Sequence, residues 1–149
     1  MRKYAAIFIL TSLIFTSCTK NASPAAASLA GKWKMISVTD NVSNTIATKP
    51  AGIYTDIVIV LNYTFLSGGK LTGNLTSGTI RGNFIVSGDK TISIPSVQMS
   101  WFFDPIDFSS AWDRELYGNI TLARNYSFDS AGNLNINCSN DMKFTFIKQ

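Results

Sequence analysis

One segment of the chain carries four acidic side chains close together: Asp104, Asp107, Asp113 and Glu115. A pair of carboxylates can cleave a glycosidic bond, because one carboxyl group acts as an acid while the other acts as a base or nucleophile. Helix capping explains the same positions, since Asp104 is a suitable N-cap and Asp107 places a negative charge near a helix N-terminus. Asp113 and Glu115 are then predicted to lie on the solvated face of that helix. We favour this interpretation and expect no catalytic pair here.

The chain contains no histidine, which restricts the chemistry that its other residues can perform. A serine–histidine triad and a histidine metal site are both impossible. Asp40, Asn41 and Asn44 offer oxygen atoms of the kind that bind calcium. Their spacing matches no calcium loop, so a polar surface loop is the better interpretation. The sequence therefore predicts a protein that is not an enzyme and that holds no metal or cofactor.

The first of the two cysteines, Cys18, follows a short apolar segment near the start of the chain. Arg2 and Lys3 precede the apolar run Ala5–Phe15, which is shorter than the about 20 residues that a membrane-spanning helix requires. A positive start followed by a short apolar run is typical of a secretory signal peptide. The motif Phe15-Thr16-Ser17-Cys18 resembles the bacterial lipobox. That resemblance implies cleavage before Cys18 and acylation of the cysteine.

This interpretation divides the chain into three parts. Residues 1–17 are a lipoprotein signal peptide, residues 18–28 are a flexible tether of small and polar side chains, and residues 29–149 are a single domain. Acyl chains on Cys18 are predicted to hold the mature protein on a membrane of the bacterial cell envelope. No acidic run follows Cys18, which favours the periplasmic side over the cell surface. The expected location is the outer membrane, with the protein facing the periplasm. The alternative is an ordinary signal peptide followed by an incidental cysteine.

The second cysteine, Cys138, has no partner in the chain once Cys18 is acylated. An internal disulfide is therefore excluded, although the compartment would permit one. A reactive thiol requires a nearby base or a cluster of cations. The sequence around Cys138 indicates neither, and we expect a small buried apolar residue.

The charge of the chain bears on its partners. The net charge of +4 falls by two when Arg2 and Lys3 leave with the signal peptide, and the remaining cations are scattered along the sequence. Nucleic-acid binding requires a concentrated basic face, so nucleic acid is not expected as a partner.

Three consecutive aromatic residues, Trp101, Phe102 and Phe103, form the most apolar aromatic cluster in the chain. In a strand, Trp101 and Phe103 share one face and Phe102 takes the other. Core packing is the favoured interpretation, because aromatic side chains at strand spacing usually pack. The alternative is an exposed patch for a partner or a ligand.

Alternating apolar and polar residues predict strands along most of the chain: Gly31–Thr39, Tyr54–Leu66, Lys70–Asn74, Thr79–Val86, Thr91–Pro95, Val97–Phe103, Ile120–Phe128, Asn133–Cys138 and Met142–Ile147. The segment Asp40–Gly52 is predicted to be a loop. The segment Ile57–Leu61 is apolar on both faces, which predicts a strand that is covered by other parts of the protein on both faces.

One helix interrupts these strands, over about residues 105–118. Phe108, Trp112 and Leu116 recur at a spacing of four and so share one face of this helix, which requires a packing partner. The predicted fold class is mainly β with a minor α component: an antiparallel sheet curled into a small barrel-like domain with one packed helix.

The order of these elements resembles the META domain of HslJ-like bacterial envelope proteins, over about residues 29–147. The positions that carry the resemblance follow the order of that family: Leu29, Gly31, Trp33, Gly82, Phe84, Met99, Glu115, Leu116, Tyr126, Leu134 and Phe144. The resemblance implies a small antiparallel β domain with one helix. It implies no defined catalysis, and it implies an association with envelope stress, drug tolerance and virulence.

The chain departs from the META pattern at three positions. The two cysteines of the family correspond to about Ser77 and to Trp101 in this chain, and the threonine of the family corresponds to Val97. Any disulfide or thiol role linked to those cysteines is therefore lost here.

Two function classes follow from the sequence. The first is a lipid-anchored envelope domain that binds another envelope protein or supports envelope integrity. The second is a carrier of a small apolar ligand, because the stretch Leu29–Val38 also resembles the opening strand of a lipocalin. An apolar cavity of about 300 Å³ or more would favour the carrier. A filled interior with Trp101 or Phe102 exposed would favour a partner surface.

Overall fold

The structure, a computed structural model, describes residues 29–65, 67–102 and 111–149. These residues form nine strands, a short helix and a 3₁₀ turn. In chain order the elements are β1 (Gly31–Asp40), β2 (Thr45–Thr48), β3 (Val58–Phe65), β4 (Gly68–Asn74), β5 (Gly78–Ser87), β6 (Thr91–Trp101), α1 (Ala111–Asn119), the 3₁₀ turn (Ile120–Leu122), β7 (Ala123–Phe128), β8 (Leu134–Cys138) and β9 (Met142–Lys148).

Eight of these strands close into an antiparallel barrel. Strands β3 to β9 follow one another as a meander, and β1 pairs with β3 on one side and with β9 on the other. Strand β2 lies outside the closed circuit, where it pairs with the far end of β1 over Ser37–Asp40. The predicted fold class, a small and mainly β barrel-like domain with a helix, is confirmed.

The barrel is least regular between β6 and β7. These two strands share a single residue pair, Thr91 with Asn125, and the backbone N–H of Tyr126 donates to the Lys90 carbonyl at 2.8 Å. The chain that connects β6 to β7 includes α1 and the 3₁₀ turn, and the 3₁₀ turn packs against β6. The connection therefore covers the part of the wall where direct strand pairing is sparse.

The structure corrects the sequence prediction in three places. The segment predicted as a loop contains β2, all of whose residues are exposed, so no buried face marked it as a strand. Strand β6 runs without interruption through the two strands predicted on either side of Ser96. It tolerates Pro95 because the register with β5 shifts at that point, between Asn83 and Ile85, where a ladder hydrogen bond is not needed. Residues Ile120–Leu122 form a 3₁₀ turn rather than the start of a strand.

Helix α1 is bound to the barrel by a buried carboxylate. Asp113 is fully buried and accepts hydrogen bonds from the backbone N–H groups of Thr76 and Ser77 at 2.9 and 3.0 Å. The hydroxyl groups of the same two residues also donate to it, the Ser77 hydroxyl at 2.6 Å. These donors lie in the turn between β4 and β5, so one side chain connects the helix to a turn that is distant in sequence. A buried carboxylate is tolerated because it is surrounded by donors.

We expect that the substitution Asp113→Asn lowers the free energy of unfolding by about 3 kcal/mol, because the new amide N–H₂ group faces donors that it cannot satisfy. The matched control is Glu115→Gln, which removes the same charge from a partly exposed position two residues away. This control should change stability by less than about 0.5 kcal/mol. Urea unfolding followed by tryptophan fluorescence measures both variants. Equal effects in the two variants would contradict the assignment of Asp113 as the anchor of the helix.

Candidate functional site

The interior of the barrel is filled by its own side chains. Trp33, Phe84, Phe144 and Phe146 are among the largest side chains that are fully buried, and the aliphatic residues of β3, β5, β6 and β8 complete the core. An aromatic contact links strands that are not neighbours in the wall, with the Trp33 ring of β1 and the Phe128 ring of β7 at a centroid distance of 5.8 Å. An eight-stranded barrel is just wide enough for side chains to fill it. The filled interior favours a surface site over a ligand in the barrel.

The Tyr63 hydroxyl is a polar atom inside this core that has no hydrogen-bond partner among the described residues. Its ring packs edge-on against Phe84, with the centroids 5.1 Å apart. Burial, with a smaller contribution from Tyr126, raises the pKa of Tyr63 from 10.0 to about 12. The hydroxyl is therefore neutral at physiological pH, and its position has a cost because a buried polar group has lost its water.

The structure divides the aromatic segment Trp101–Phe103, for which core packing was the favoured prediction and a partner surface the alternative. Trp101 is the last residue of β6, pairs with Gly78 and is half-buried. Phe102 is 62% exposed, and its backbone N–H donates to the Ser77 carbonyl at 3.0 Å. The turn that binds α1 therefore also holds Phe102 at the surface. Phe103 lies outside the described residues.

The predicted carboxylate cluster is also divided. The prediction that Asp113 lies on a solvated face is wrong, because the residue is fully buried on the β4–β5 turn. Asp113 is next to Trp112 and three residues before Leu116, so its spacing places it on the buried face of the helix. Only the folded structure brings the Thr76 and Ser77 donors to it. Glu115 is half-buried, and Asp104 and Asp107 lie outside the described residues.

Two carboxylates, Asp40 and Glu115, line a shallow pocket of about 280 Å³ at the helix end of the barrel. Asp40 accepts hydrogen bonds from the backbone N–H groups of Val42 and Ser43 and from the Ser43 hydroxyl at 2.7 Å. These bonds, that of the Ser43 hydroxyl first, lower the pKa of Asp40. Asp40 thus stabilises the β1–β2 turn, where Asn44 adopts a positive φ of 54°. A carboxylate with a lowered pKa is also poorly suited to act as a general acid. The described residues contain no group of three or more His, Cys, Asp or Glu side chains that could hold a metal ion.

Cys138 ends β8 and is buried, as the sequence predicted. Its thiol donates to the Asn119 carbonyl at 3.3 Å, and burial raises the pKa of Cys138 from 9.0 to about 11. Because the thiolate is the nucleophile, this environment suppresses reactivity.

A concave surface lies on the outside of the wall formed by β3, β4, β5 and β6. This outer groove has a volume of about 750 Å³ and includes Lys32 from the adjacent end of β1. The strand register aligns its side chains in rows that cross the sheet. The central row is Lys32, Val60, Thr72, Arg81 and Gln98, and the next row includes Asn62, Lys70, Asn83 and Ser96.

The charges of the outer groove are all of one sign. Lys32, Lys70 and Arg81 line it, and no aspartate or glutamate is among its lining residues. None of the three forms a salt bridge with a described residue, whereas Lys34, nearby on β1, pairs with Asp56 at 3.5 Å. The remaining polar side chains are amides and hydroxyls: Thr72, Asn74, Thr79, Asn83, Ser96 and Gln98. The groove can therefore bind an anionic ligand that also forms neutral hydrogen bonds.

Glycines permit the close strand packing behind this groove. A Cβ atom on Gly73 would lie 2.5 Å from the Val58 carbonyl oxygen, and one on Gly82 would lie 2.6 Å from the Ser96 carbonyl oxygen. Real Cβ contacts are longer than this, so only glycine allows the neighbouring strands to approach as they do.

Val58 and Val60 are half-buried on the outer face, so the strand predicted to be covered on both sides instead contributes part of the groove floor.

Comparison with known proteins supports the fold alone. A crystal structure of a DUF4847 family protein from Bacteroides vulgatus matches with a TM-score of 0.54 and 19% identity, covering 81% of this chain and 95% of that one. An NMR structure of a protein from Burkholderia xenovorans matches with a TM-score of 0.59 and 12% identity, covering 84% of this chain and 88% of that one. Comparisons with protein families and with curated proteins give no match.

Tyr63→Phe tests the unpartnered hydroxyl. We expect the variant to be at least as stable as the parent at pH 7, because no hydrogen bond is lost and the cost of burying an unpartnered hydroxyl is removed. The folded chain holds the proton of Tyr63 more tightly than the unfolded chain does, so this contribution to stability is present below pH 10 and is lost as the pH rises towards 12. Tyr63→Phe should therefore lose less stability than the parent over that range in urea unfolding. A clear loss of stability at pH 7 would show that the hydroxyl has a partner.

The environment of Cys138 predicts that its thiol is alkylated slowly in the folded protein. Because its pKa is raised from 9.0 to about 11, the thiolate fraction at pH 8 falls about 100-fold, and alkylation by iodoacetamide should slow by at least that factor relative to the unfolded chain. Mass spectrometry after timed labelling, with and without guanidinium chloride, measures the ratio. Equal rates in the two conditions would contradict the buried position.

Proposed function

We propose that this protein is a lipid-anchored, non-catalytic binding domain of the bacterial cell envelope. Acyl chains on Cys18 hold it on the outer membrane, facing the periplasm, and the barrel binds a partner through its outer surface. Its element order resembles the META domain of HslJ-like proteins, and this resemblance supports a role in envelope stress or integrity.

The filled interior of the barrel is the observation that carries this proposal. A carrier needs an apolar space of about 300 Å³ or more, and ligand pockets of that size enclose most of the ligand. Here the positions that would line such a space are occupied by buried aromatic and aliphatic side chains. The outer groove is on the outside of the wall and is lined by cationic, polar and aliphatic residues. Binding by this barrel is therefore better supported outside than inside.

The anchor rests on the sequence of the first residues. Among the described residues no helix is long and apolar enough to span a bilayer. The lipobox-like motif ends at Cys18, and residues 18–28 provide a tether before the barrel begins at Gly31. Two or more acyl chains give stable membrane attachment, whereas a single chain binds only marginally.

A lipocalin-like carrier of a small apolar ligand is the alternative function. The closed eight-stranded barrel is an architecture that can hold one small ligand. A carrier would require the core to open, with residues such as Trp33 and Phe128 moving apart. The two functions predict different masses for the protein isolated from its own membranes.

Mass spectrometry of the protein extracted from those membranes in mild detergent tests the proposal. Under denaturing conditions we expect a chain that begins at an acylated Cys18. Under native conditions we expect no additional retained molecule of a few hundred daltons, because the core has no room for one. The variant Cys18→Ala should lose both the acyl mass and the membrane attachment. The matched control, Cys138→Ala, should keep both.

Two outcomes would overturn the proposal. An unmodified cysteine at position 18 in the mature protein, or an intact leader in the cytosol, would remove the anchor. A stoichiometric apolar molecule released on unfolding would favour the carrier.

A further inference from the structure

We propose that the outer groove binds an acidic polysaccharide, with the sugar chain lying across the strands. The inference names a ligand class for the outer-surface binding described above, and it depends on that function only in placing binding outside the barrel.

The three cations of the groove form no salt bridge with a described carboxylate. Lys70 pairs with Asn83 across the β4–β5 ladder, so it is a diagonal neighbour of Arg81, at about 7–8 Å. The spacing of about 7–8 Å is that of the two residues on the sheet, which is close enough for their like charges to repel each other, and no carboxylate lines the groove to offset them. An anionic group placed between Lys70 and Arg81 would remove the repulsion and form charge-assisted hydrogen bonds.

The position of the third cation, Lys32, requires an extended ligand. Lys32 shares the central row with Arg81, and three strand spacings of about 4.8 Å separate them, or about 14 Å. A single phosphate or carboxylate cannot reach both positions. A polymer that repeats its negative charge can do so, and between the two cationic positions it would pass over Val60 and the Thr72 hydroxyl.

A ligand in the groove can contact side chains but cannot form a new strand with the paired backbone of the wall. Strands β3, β4 and β5 are each paired on both sides, so a peptide cannot bind in the groove by adding a strand. The neutral groups that remain available are the hydroxyls and amides of Thr72, Asn83, Ser96 and Gln98. These groups match the hydroxyl groups of sugars in donor and acceptor character. A chain of uronic acid sugars supplies both the repeated carboxylates and the hydroxyls that this surface can bind.

Binding of defined oligogalacturonates to the full mature protein in detergent, measured by isothermal titration calorimetry, tests the proposal. We expect the octamer to bind and neutral dextran of similar length not to bind. The double variant Lys70→Gln/Arg81→Gln should weaken octamer binding by at least about tenfold, since charge-assisted contacts are lost. The matched control is Lys143→Gln/Arg124→Gln, which removes the same two charges from β9 and β7, in another part of the barrel wall. This control should change the affinity less than about twofold, as expected for screened, distant charges.

Chain length gives a second readout. Lys32→Gln should weaken binding of the octamer but leave the weaker binding of the dimer unchanged, because a dimer that occupies the Lys70 and Arg81 position does not extend to Lys32. Equal losses in the groove and control double variants would overturn the proposal, because net charge alone would explain the binding. Binding of poly-glutamate that is as tight as that of the octamer would also overturn it, in favour of an acidic peptide. Neither result depends on whether Cys18 carries acyl chains, so failure of the anchor and failure of the groove are separable.

Discussion

Pairing between the first strand of the barrel and the last is the interaction on which the rest of the structure depends. Strand β1 hydrogen bonds with β9 over Trp33–Asp40, and this contact joins residues that are far apart in the chain. Closure turns one face of every strand in the circuit towards a shared interior, where Trp33, Phe144 and Phe146 become fully buried. It also gives each strand of the groove wall two neighbours, so these strands offer no open edge for aggregation or strand addition. The filled interior and the paired wall together leave the outer face as the surface through which the barrel meets other molecules.

The orientation of α1 at one end of the barrel depends on a polar contact as well as on apolar packing. Trp112 and Leu116 bury the apolar face of α1, but apolar packing has little directional preference. Asp113 fixes the orientation of α1 on the barrel, because its carboxylate accepts hydrogen bonds from two backbone N–H groups and two hydroxyls in the turn between β4 and β5. That same turn receives the backbone N–H of Phe102. A single buried carboxylate therefore orients the helix, the turn and the exposed aromatic residue at the end of β6.

The outer groove arises from the way in which this sheet is built. The outside of a small barrel is ordinarily convex, and here glycines at positions 73 and 82 allow neighbouring strands to approach closely behind the groove. The strand register then places Lys32 and Arg81 in one row, with Lys70 in the row beside it. The sheet fixes the separations of the Cα atoms of these residues. Their charged groups lie at the ends of long exposed side chains, which can adjust to the groups of a bound polymer but lose rotamer freedom when they do so.

The sequence by itself determined the local elements and the predominance of β structure. Period-two alternation identified β1, β5, β8 and β9 closely, because one face of each is buried and the other is not. It missed β2, whose residues are all exposed, and it divided β6 at Pro95, since a register shift that accommodates proline depends on the partner strand. Only the tertiary structure decided that Asp113 is buried and that Lys32, Lys70 and Arg81 share one surface. The physical reason is that burial of a charge and clustering of cations depend on which strands and turns become neighbours, and a linear sequence does not specify those neighbours until the barrel closes.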